Sequence, residues 1–171
     1  MDEIRVIVVD DFPSQRMDAL IGDEQDPFCS LPYGLQWRAP EKHVLIKVQD
    51  DDICHIGLVP HTVEVGGQRL SVAGVGGVFT RRDYRGRGLG VAALATAQGM
   101  ASREWQAQFL VLFCRPGMRG WYEIQGFALI PETVWIQQPD AIVSAPLLVM
   151  AKQLGSHAWP PGEVKLLSLP W

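Results

Sequence analysis

The chain reads as a single α/β domain, of the α+β kind in which a mixed central sheet is flanked by helices. Three observations carry that reading. Strand-like runs, β-branched in RVIVV and continuously apolar in QFLVLFC, alternate with proline-free segments rich in alanine, leucine and methionine. Within 171 residues there is no internal repeat and no linker-like stretch, so residues 1–171 are taken as one domain. Apolar residues make up 47% and charged residues 20%, enough to bury a core without disulfide staples.

The elements follow in order. Residues 4–9 form a β-branched strand, and Pro13 then suits the first turn of a helix whose apolar stripe is Met17, Leu20 and Ile21. Residues 26–40 carry three prolines and Gly34, which makes them a loop or irregular helix. Residues 44–48 form a strand, Asp50, Asp51 and Asp52 turn it, and a second strand covers 53–65 with an interruption at Pro60. Gly66 and Gly67 make a hairpin into a long strand over 70–80. Residues 91–101 are helical, 108–114 have the length of a buried strand, and 118–125 form a short helix carrying Tyr122. Residues 128–136 and 145–150 close the sheet on either side of the polar QQPD turn, for six to seven strands in all.

RGRGLG at residues 85–90 lies between the apolar strand and the helix. Unpaired amides at a helix N-terminus point at an anion. Gly86, Gly88 and Gly90 can take positive φ and lack a Cβ, so the main chain can approach a diphosphate closely. Arg81, Arg82, Arg85 and Arg87 crowd the same turn. Two common phosphate loops are excluded by spacing. A GxGxxG fingerprint would need a glycine at Val91 or Ala93, and a triphosphate loop would need a lysine, of which there is none between Asp52 and Met150.

The segment resembles instead the acyl-coenzyme A signature of the GNAT superfamily of N-acetyltransferases, R/Q-x-x-G-x-G/A, met by Arg85, Gly88 and Gly90. The preceding VFTRRDYRG is similar to that family's strand end and turn, and WYEIQGF places Tyr122 just before Gly126 and Phe127 as the family does. HIGL at 55–58, VGG at 65–67 and WPPGEV at 159–164 resemble the rhizobial nodulation N-acyltransferase. The Trp171 ending resembles aminoglycoside 2'-N-acetyltransferases.

The resemblance implies a sheet splayed between strands 4 and 5 (70–80 and 108–114) and an acetyl-CoA site there. It places Val78, Phe79 and Thr80 along the pantetheine, and Arg85, Gly86, Arg87, Gly88, Leu89 and Gly90 around the diphosphate. The implied reaction moves an acetyl group to a primary amine of a small molecule or peptide by direct attack in a ternary complex. Tyr122, protonated at neutral pH, is the acid for the leaving thiolate. A longer-chain N-acyltransferase and a non-catalytic acyl-CoA sensor are the alternatives.

The base is less legible. Many relatives carry a glutamate on the strand before the glycine turn, whereas SVAGVGGVFT has no carboxylate. His55 is the first candidate and His61 the next, since imidazole titrates near neutrality. Glu64, Glu123 and the carboxylate of Trp171 follow them. Strand glycines Gly74, Gly76 and Gly77 leave space for a backbone, a bulge or a roomier pocket. Cys114 reads as an inert buried thiol rather than a nucleophile, because Arg115 is no base. Trp37, Trp159 and Trp171 lie in irregular segments, where they pack or line an acceptor pocket.

A net charge of −4 argues against nucleic acid as a partner. Cys29, Cys54 and Cys114 with His43, His55, His61 and His157 form no metal-ligand spacing, so no metal is expected and reduced thiols place the chain in the cytoplasm. The acidic start lacks the basic head of a signal peptide, and no run reaches the roughly 20 apolar residues of a membrane span. Oligomeric state is open, with the apolar LLSLPW tail able to cover a second copy in a homodimer.

Overall fold

The computed structural model describes residues 3–28 and 30–171, so what was expected of Cys29 and of the first two residues lies outside it. The chain folds as a mixed α/β domain around one curled sheet. Its elements run β1 (Ile4–Val9), α1 (Ser14–Ile21), β2 (Lys42–Val48), β3 (Asp51–Val65), β4 (Gln68–Thr80), α2 (Leu89–Trp105), β5 (Phe109–Cys114) and α3 (Arg119–Ile124). They continue with β6 (Ala128–Leu129), β7 (Val134–Gln138), β8 (Ala141–Ser144), β9 (Leu148–Gln153) and β10 (Val164–Lys165).

The sheet order is β6-β9-β5-β4-β3-β10-β7-β8, with β2 also on β3 and β1 outside β2. All pairs are antiparallel except β4 with β5 and β10 with β7. The helix α2 lays Leu89, Ala93, Leu94, Ala97 and Met100 on one sheet face, over Ile56, Leu58, Val75 and Leu110. The opposite face buries Val63, Phe109, Ile136, Leu166 and Trp171.

Gly66 and Gly67, at φ 55° and 83°, join β3 to β4 as a two-residue hairpin. Both residues having positive φ matches the right-handed twist of the strands. The hairpin glycine of VGG and the glycine of WPPGEV, which leads into β10, meet here. A Cβ on Gly66 would lie 2.5 Å from the Pro161 carbonyl oxygen, and one on Gly162 would lie 2.7 Å from the Gly66 Cα. Gly57 of HIGL is equally confined, since a Cβ there would sit 2.4 Å from the Pro40 ring.

Several expected boundaries change, each for a local reason. Among the described residues ten strands form where six or seven were expected, because residues 128–136 divide at Pro131 into β6 and β7, β8 forms after the QQPD turn, and β10 adds a two-residue strand. The strand expected over 145–150 is β9, offset beyond Pro146, while β8 pairs with β7 across Pro139 and Asp140. Pro60 does not interrupt β3. It pairs with Ala73 of β4 and lies between the residues that β2 and β10 cover, where a missing N–H costs the sheet nothing. The helix α2 is longer than 91–101 and ends at Gln106, which is left-handed. The tail is not spare surface: Leu166 and Trp171 are buried in the chain's own core.

Candidate active site

Strands β4 and β5 are parallel neighbours only from Val72–Phe109 to Val75–Leu112. Beyond those pairs both continue without partnering, β4 to Thr80 and β5 to Cys114, so the sheet opens between strands 4 and 5. On its other side β4 bulges. Gly57 pairs with Gly76 and His55 with Phe79, leaving Gly77 and Val78 opposite Ile56 alone. Gly77 takes φ +57°, the backbone setting that such a bulge needs and that a side chain disfavours.

From Thr80 the chain makes a short 3₁₀ turn over Arg82–Tyr84 and reaches Gly86 and Gly88 at φ 73° and 76°. Gly88 is the residue at the head of α2, and no side chain caps that helix. The first amides of α2 therefore lack intrahelical partners and form, with the glycine turn, a cradle for an anion. Gly90 differs from the expectation. It is the second helical residue with ordinary φ, and a Cβ there would make a 3.5 Å contact with Trp121.

The arginines mostly shape the turn. Arg85 donates from Nη2 to both carboxylate oxygens of Glu24, at 2.6 and 2.8 Å, and from Nε to the Thr80 carbonyl at 2.9 Å. Arg81 and Arg87 stack on the Tyr84 ring at 4.7 and 4.9 Å, and Arg87 also donates to the Asp83 carbonyl. Phe79 and Thr80 are tied into the sheet, Phe79 as a buried core residue and Thr80 by donating its hydroxyl to Cys54 Sγ.

The opening between β4 and β5 leads into a cavity of about 460 Å³. Its walls are largely apolar and aromatic, with Phe12, Phe28, Trp37, Phe113, Met118 and Trp171 among them, and His43, Arg38 and Arg115 as polar groups. Among the described residues no carboxylate side chain lines it. Val78, Tyr122 and His55, all singled out in the sequence, are brought together on its wall.

Tyr122 is buried, with its ring against Trp121 and Phe127. Burial, followed by the neighbouring Cys114, pushes its phenol well above the usual range, so it keeps its proton at every physiological pH. Burial also raises the Cys114 thiol, which contacts Met150 Sδ at 3.7 Å. That environment suppresses thiolate.

Of the remaining base candidates, His55 and Trp171 line the cavity, the Trp171 carboxyl carbon lying 3.0 Å from where a Cβ on Gly76 would stand, while the glutamates fall elsewhere. Glu64 pairs with Lys165 at 3.5 Å and Glu123 with Arg119 at 2.6 Å, and neither lines the cavity. His61 contacts Arg38 at 3.1 Å and the Leu166 carbonyl at 2.5 Å. His55 is fully buried, with Nδ1 2.6 Å from the Gly77 carbonyl and Nε2 2.8 Å from Nδ1 of His43. Both its nitrogens are engaged, and its partner His43, weighed in the sequence only as a metal ligand, lines the cavity beside it. The signal was there in the strand alternation, since His43 pairs with Gly57 and so shares a sheet face with His55 two residues away.

The strand glycines do not widen the pocket. Trp171 fills the space they leave: a Cβ on Gly74 would lie 2.1 Å from its indole, and one on Gly76 would lie 3.0 Å from its carbonyl carbon. The indole Nε1 donates to the Val111 carbonyl at 3.0 Å. Trp37 also lines the cavity, whereas Trp159 packs against Phe109 away from it.

Residues 34–130 match the family model for the acetyltransferase (GNAT) domain, and the chain belongs to that family. Solved structures share its fold. A GNAT family N-acetyltransferase (YhbS) from Escherichia coli in complex with CoA superposes with TM-score 0.65 at 18% identity, covering 96% of this chain and 91% of that one. A GNAT family acetyltransferase from Brucella melitensis in complex with acetyl-CoA gives 0.55 at 16% identity, covering 94% of each. An acyl-CoA N-acyltransferase from Pseudomonas aeruginosa gives 0.55 at 17% identity, covering 88% of this chain and 99% of that one. No curated protein matches the sequence significantly. Among the described residues no helix is long and apolar enough to cross a membrane, and no group of three or more His, Cys, Asp or Glu is placed to hold a metal.

Proposed function

We propose that the chain, as one domain over residues 1–171, transfers an acetyl group from acetyl-CoA to the primary amine of a small molecule or peptide with an apolar body. The observation that carries this reading is the opening of β4 from β5 beside the Gly77 bulge, continuous with the cavity on one side and the uncapped head of α2 on the other. The bound CoA and acetyl-CoA of the Escherichia coli and Brucella structures support it.

A thioester bound there supplies an activated acyl carbon. The amides of residues 86–90 hold the diphosphate, with the helix end favouring its charge. Arg85 acts at one remove, by bracing the turn against Glu24. The main chain of Gly77 and Val78, left without partners of its own in β3, offers the pantetheine a strand edge and the thioester oxygen a donor. Tyr122 supplies a hydrogen bond, and then a proton, to the departing sulfur.

The cavity wall narrows the acceptor. A polycationic aminoglycoside calls for several converging carboxylates, and the lining has no Asp or Glu side chain, so an amine with an aromatic or aliphatic body fits better. Placing Trp171 over Gly74 and Gly76 removes the extra room that favoured a longer acyl chain. A reaction fed by acyl-CoA fits a cytoplasmic setting.

Thiol release from acetyl-CoA, measured with 2-phenylethylamine, tryptamine, spermine and kanamycin, tests this. Turnover with the first two supports the proposal. Turnover only with longer thioesters, or CoA binding without release on any amine, replaces it with the acyl-chain or sensor reading. Tyr122→Phe should lower kcat by about 10²-fold or more while leaving CoA affinity, read by calorimetry, unchanged.

A further inference from the structure

Resting on the acyltransferase reading, we infer that Nε2 of His43 takes the proton from the attacking amine, with His55 as the positioning residue that sets its tautomer. The inference starts at the bulge. Gly77, at φ +57°, turns its carbonyl toward the β3 side chains, and Nδ1 of His55 lies 2.6 Å from that oxygen. A carbonyl only accepts, so Nδ1 of His55 carries the hydrogen.

The His55 ring is fully buried under the stacked Phe12, 4.8 Å away, and a charge there is disfavoured. It is therefore neutral, and its Nε2 presents a lone pair. The contact of 2.8 Å from that lone pair to Nδ1 of His43 requires a hydrogen on Nδ1 of His43. A neutral His43 then has its own lone pair on Nε2. Among the described residues no hydrogen bond engages that nitrogen, and His43 lines the cavity with 7% of its surface exposed, against none for His55.

The chain Gly77 carbonyl, His55, His43 thus selects the Nδ1–H form in both rings, the less common tautomer of free histidine. It aims an unprotonated nitrogen at the space where the acceptor must sit. Its frame is rigid. Arg16 on α1 donates two hydrogen bonds to Asp52 of β3, at 2.8 and 2.9 Å, and its guanidinium covers Phe12 at 4.7 Å.

Protons and electrons balance. The amine nitrogen bonds to the acyl carbon and gives its proton to Nε2 of His43. The pair of the broken C–S bond stays on sulfur, which takes a proton from Tyr122, and both side chains return to their resting forms by exchange with solvent.

The groups acting on His43 are its own burial, Asp11 before α1, Arg16 on α1 and His55 on β3. Burial is the largest influence and holds the imidazole below its ordinary value, with Asp11 opposing and Arg16 reinforcing. Lys42 is turned away toward Asp10. The acid limb of kcat, read at saturating amine, should therefore fall below pH 6.5, the ordinary imidazole value.

Two measurements on the full chain test the inference. Nitrogen-15 NMR of labelled imidazoles at pH 7.5 should show His43 with a hydrogen on Nδ1 and none on Nε2, and a hydrogen on Nε2 would overturn it. In turnover with acetyl-CoA and 2-phenylethylamine, His43→Asn keeps an N–H donor toward His55 and loses the base. It should lower kcat on the order of 10²-fold and erase the acid limb of kcat, with CoA affinity unchanged. His55→Asn should lower kcat but keep an acid limb. Wild-type turnover matched within about threefold by a folded His43→Asn variant overturns the role of His43 alone. A wild-type chain that releases no thiol with any amine overturns the acyltransferase reading, and this role with it.

Discussion

The glycines of the turn and the glycines of the strand are the same residue serving opposite needs. Gly86 and Gly88 have positive φ, and nothing lies within 4 Å of where a Cβ would stand, so their requirement is conformational. Gly74 and Gly76 have ordinary backbones, and a Cβ on either would strike Trp171, so their requirement is space. Gly77 combines both, at φ +57° with the His55 ring 3.1 Å from a Cβ position. A conformational need is local and shows in the neighbouring letters, whereas a steric need is set by a residue about a hundred positions away.

Gly77→Val should do the most damage, because it meets both obstacles at once. Strain at positive φ costs about 1–3 kcal/mol before the displaced His55 is counted. Thiol release should vanish, and the melting temperature should fall further than for Gly88→Val, whose Cβ meets nothing. Retention of activity would mean that the bulge is not part of the site.

The histidine that contacts Gly77 sets the next effect. Burial, opposed by the hydrogen bond to the Gly77 carbonyl, holds His55 down to about 4 in the folded chain. Because the unfolded chain binds this proton more readily, the stability is fully present above pH 6.5 and drains away as pH falls toward 4. The loss is on the order of 3 kcal/mol. His55→Leu should flatten that part of a urea stability profile between pH 6.5 and 4, and an unchanged slope would show that His55 is not held neutral.

Gly88→Val tests the conformational class in isolation. Since its Cβ meets nothing, the fold should survive while CoA affinity drops on the order of 10²-fold, about 2.7 kcal/mol. Gly88→Asn, which tolerates left-handed backbone, should recover most of it. If Asn and Val weaken binding equally, the φ of this residue is not what matters.

Gly74→Ala tests the steric class and should destabilise by about 1–3 kcal/mol through overpacking against Trp171. Paired with Trp171→Leu, the two changes should couple by about 0.5–3 kcal/mol in a double-mutant cycle followed by urea unfolding. Additive effects would break the contrast between the two glycine classes.

Much of the frame was legible. The β1, α1 and β2 positions, the Gly66–Gly67 hairpin, the strand-turn-helix around Gly88 and the helix carrying Tyr122 all follow from periodicity and turn chemistry, which are short-range. The division of residues 128–150 into short strands was less so. Pro131 and Pro146 cut apolar runs whose composition alone reads as continuous strand. Tyr122 and Val78 do reach the cavity, but the base candidates Glu64 and Glu123 do not, and His43 was not weighed as a base because its contact with His55 depends on the pairing of β2 with β3.

By itself the sequence determined the strand and helix runs, the glycine turn at the head of α2 and, through that turn and the motif around Tyr122, the family, since each is written in residues within a few positions of one another. Only the tertiary structure decided that Trp171 occupies the space beside Gly74, that Glu24 engages Arg85, and that His55 is spoken for at both nitrogens. Those outcomes turn on strand register and on packing between segments distant along the chain. Side-chain identity limits such contacts, but the three-dimensional arrangement selects among them.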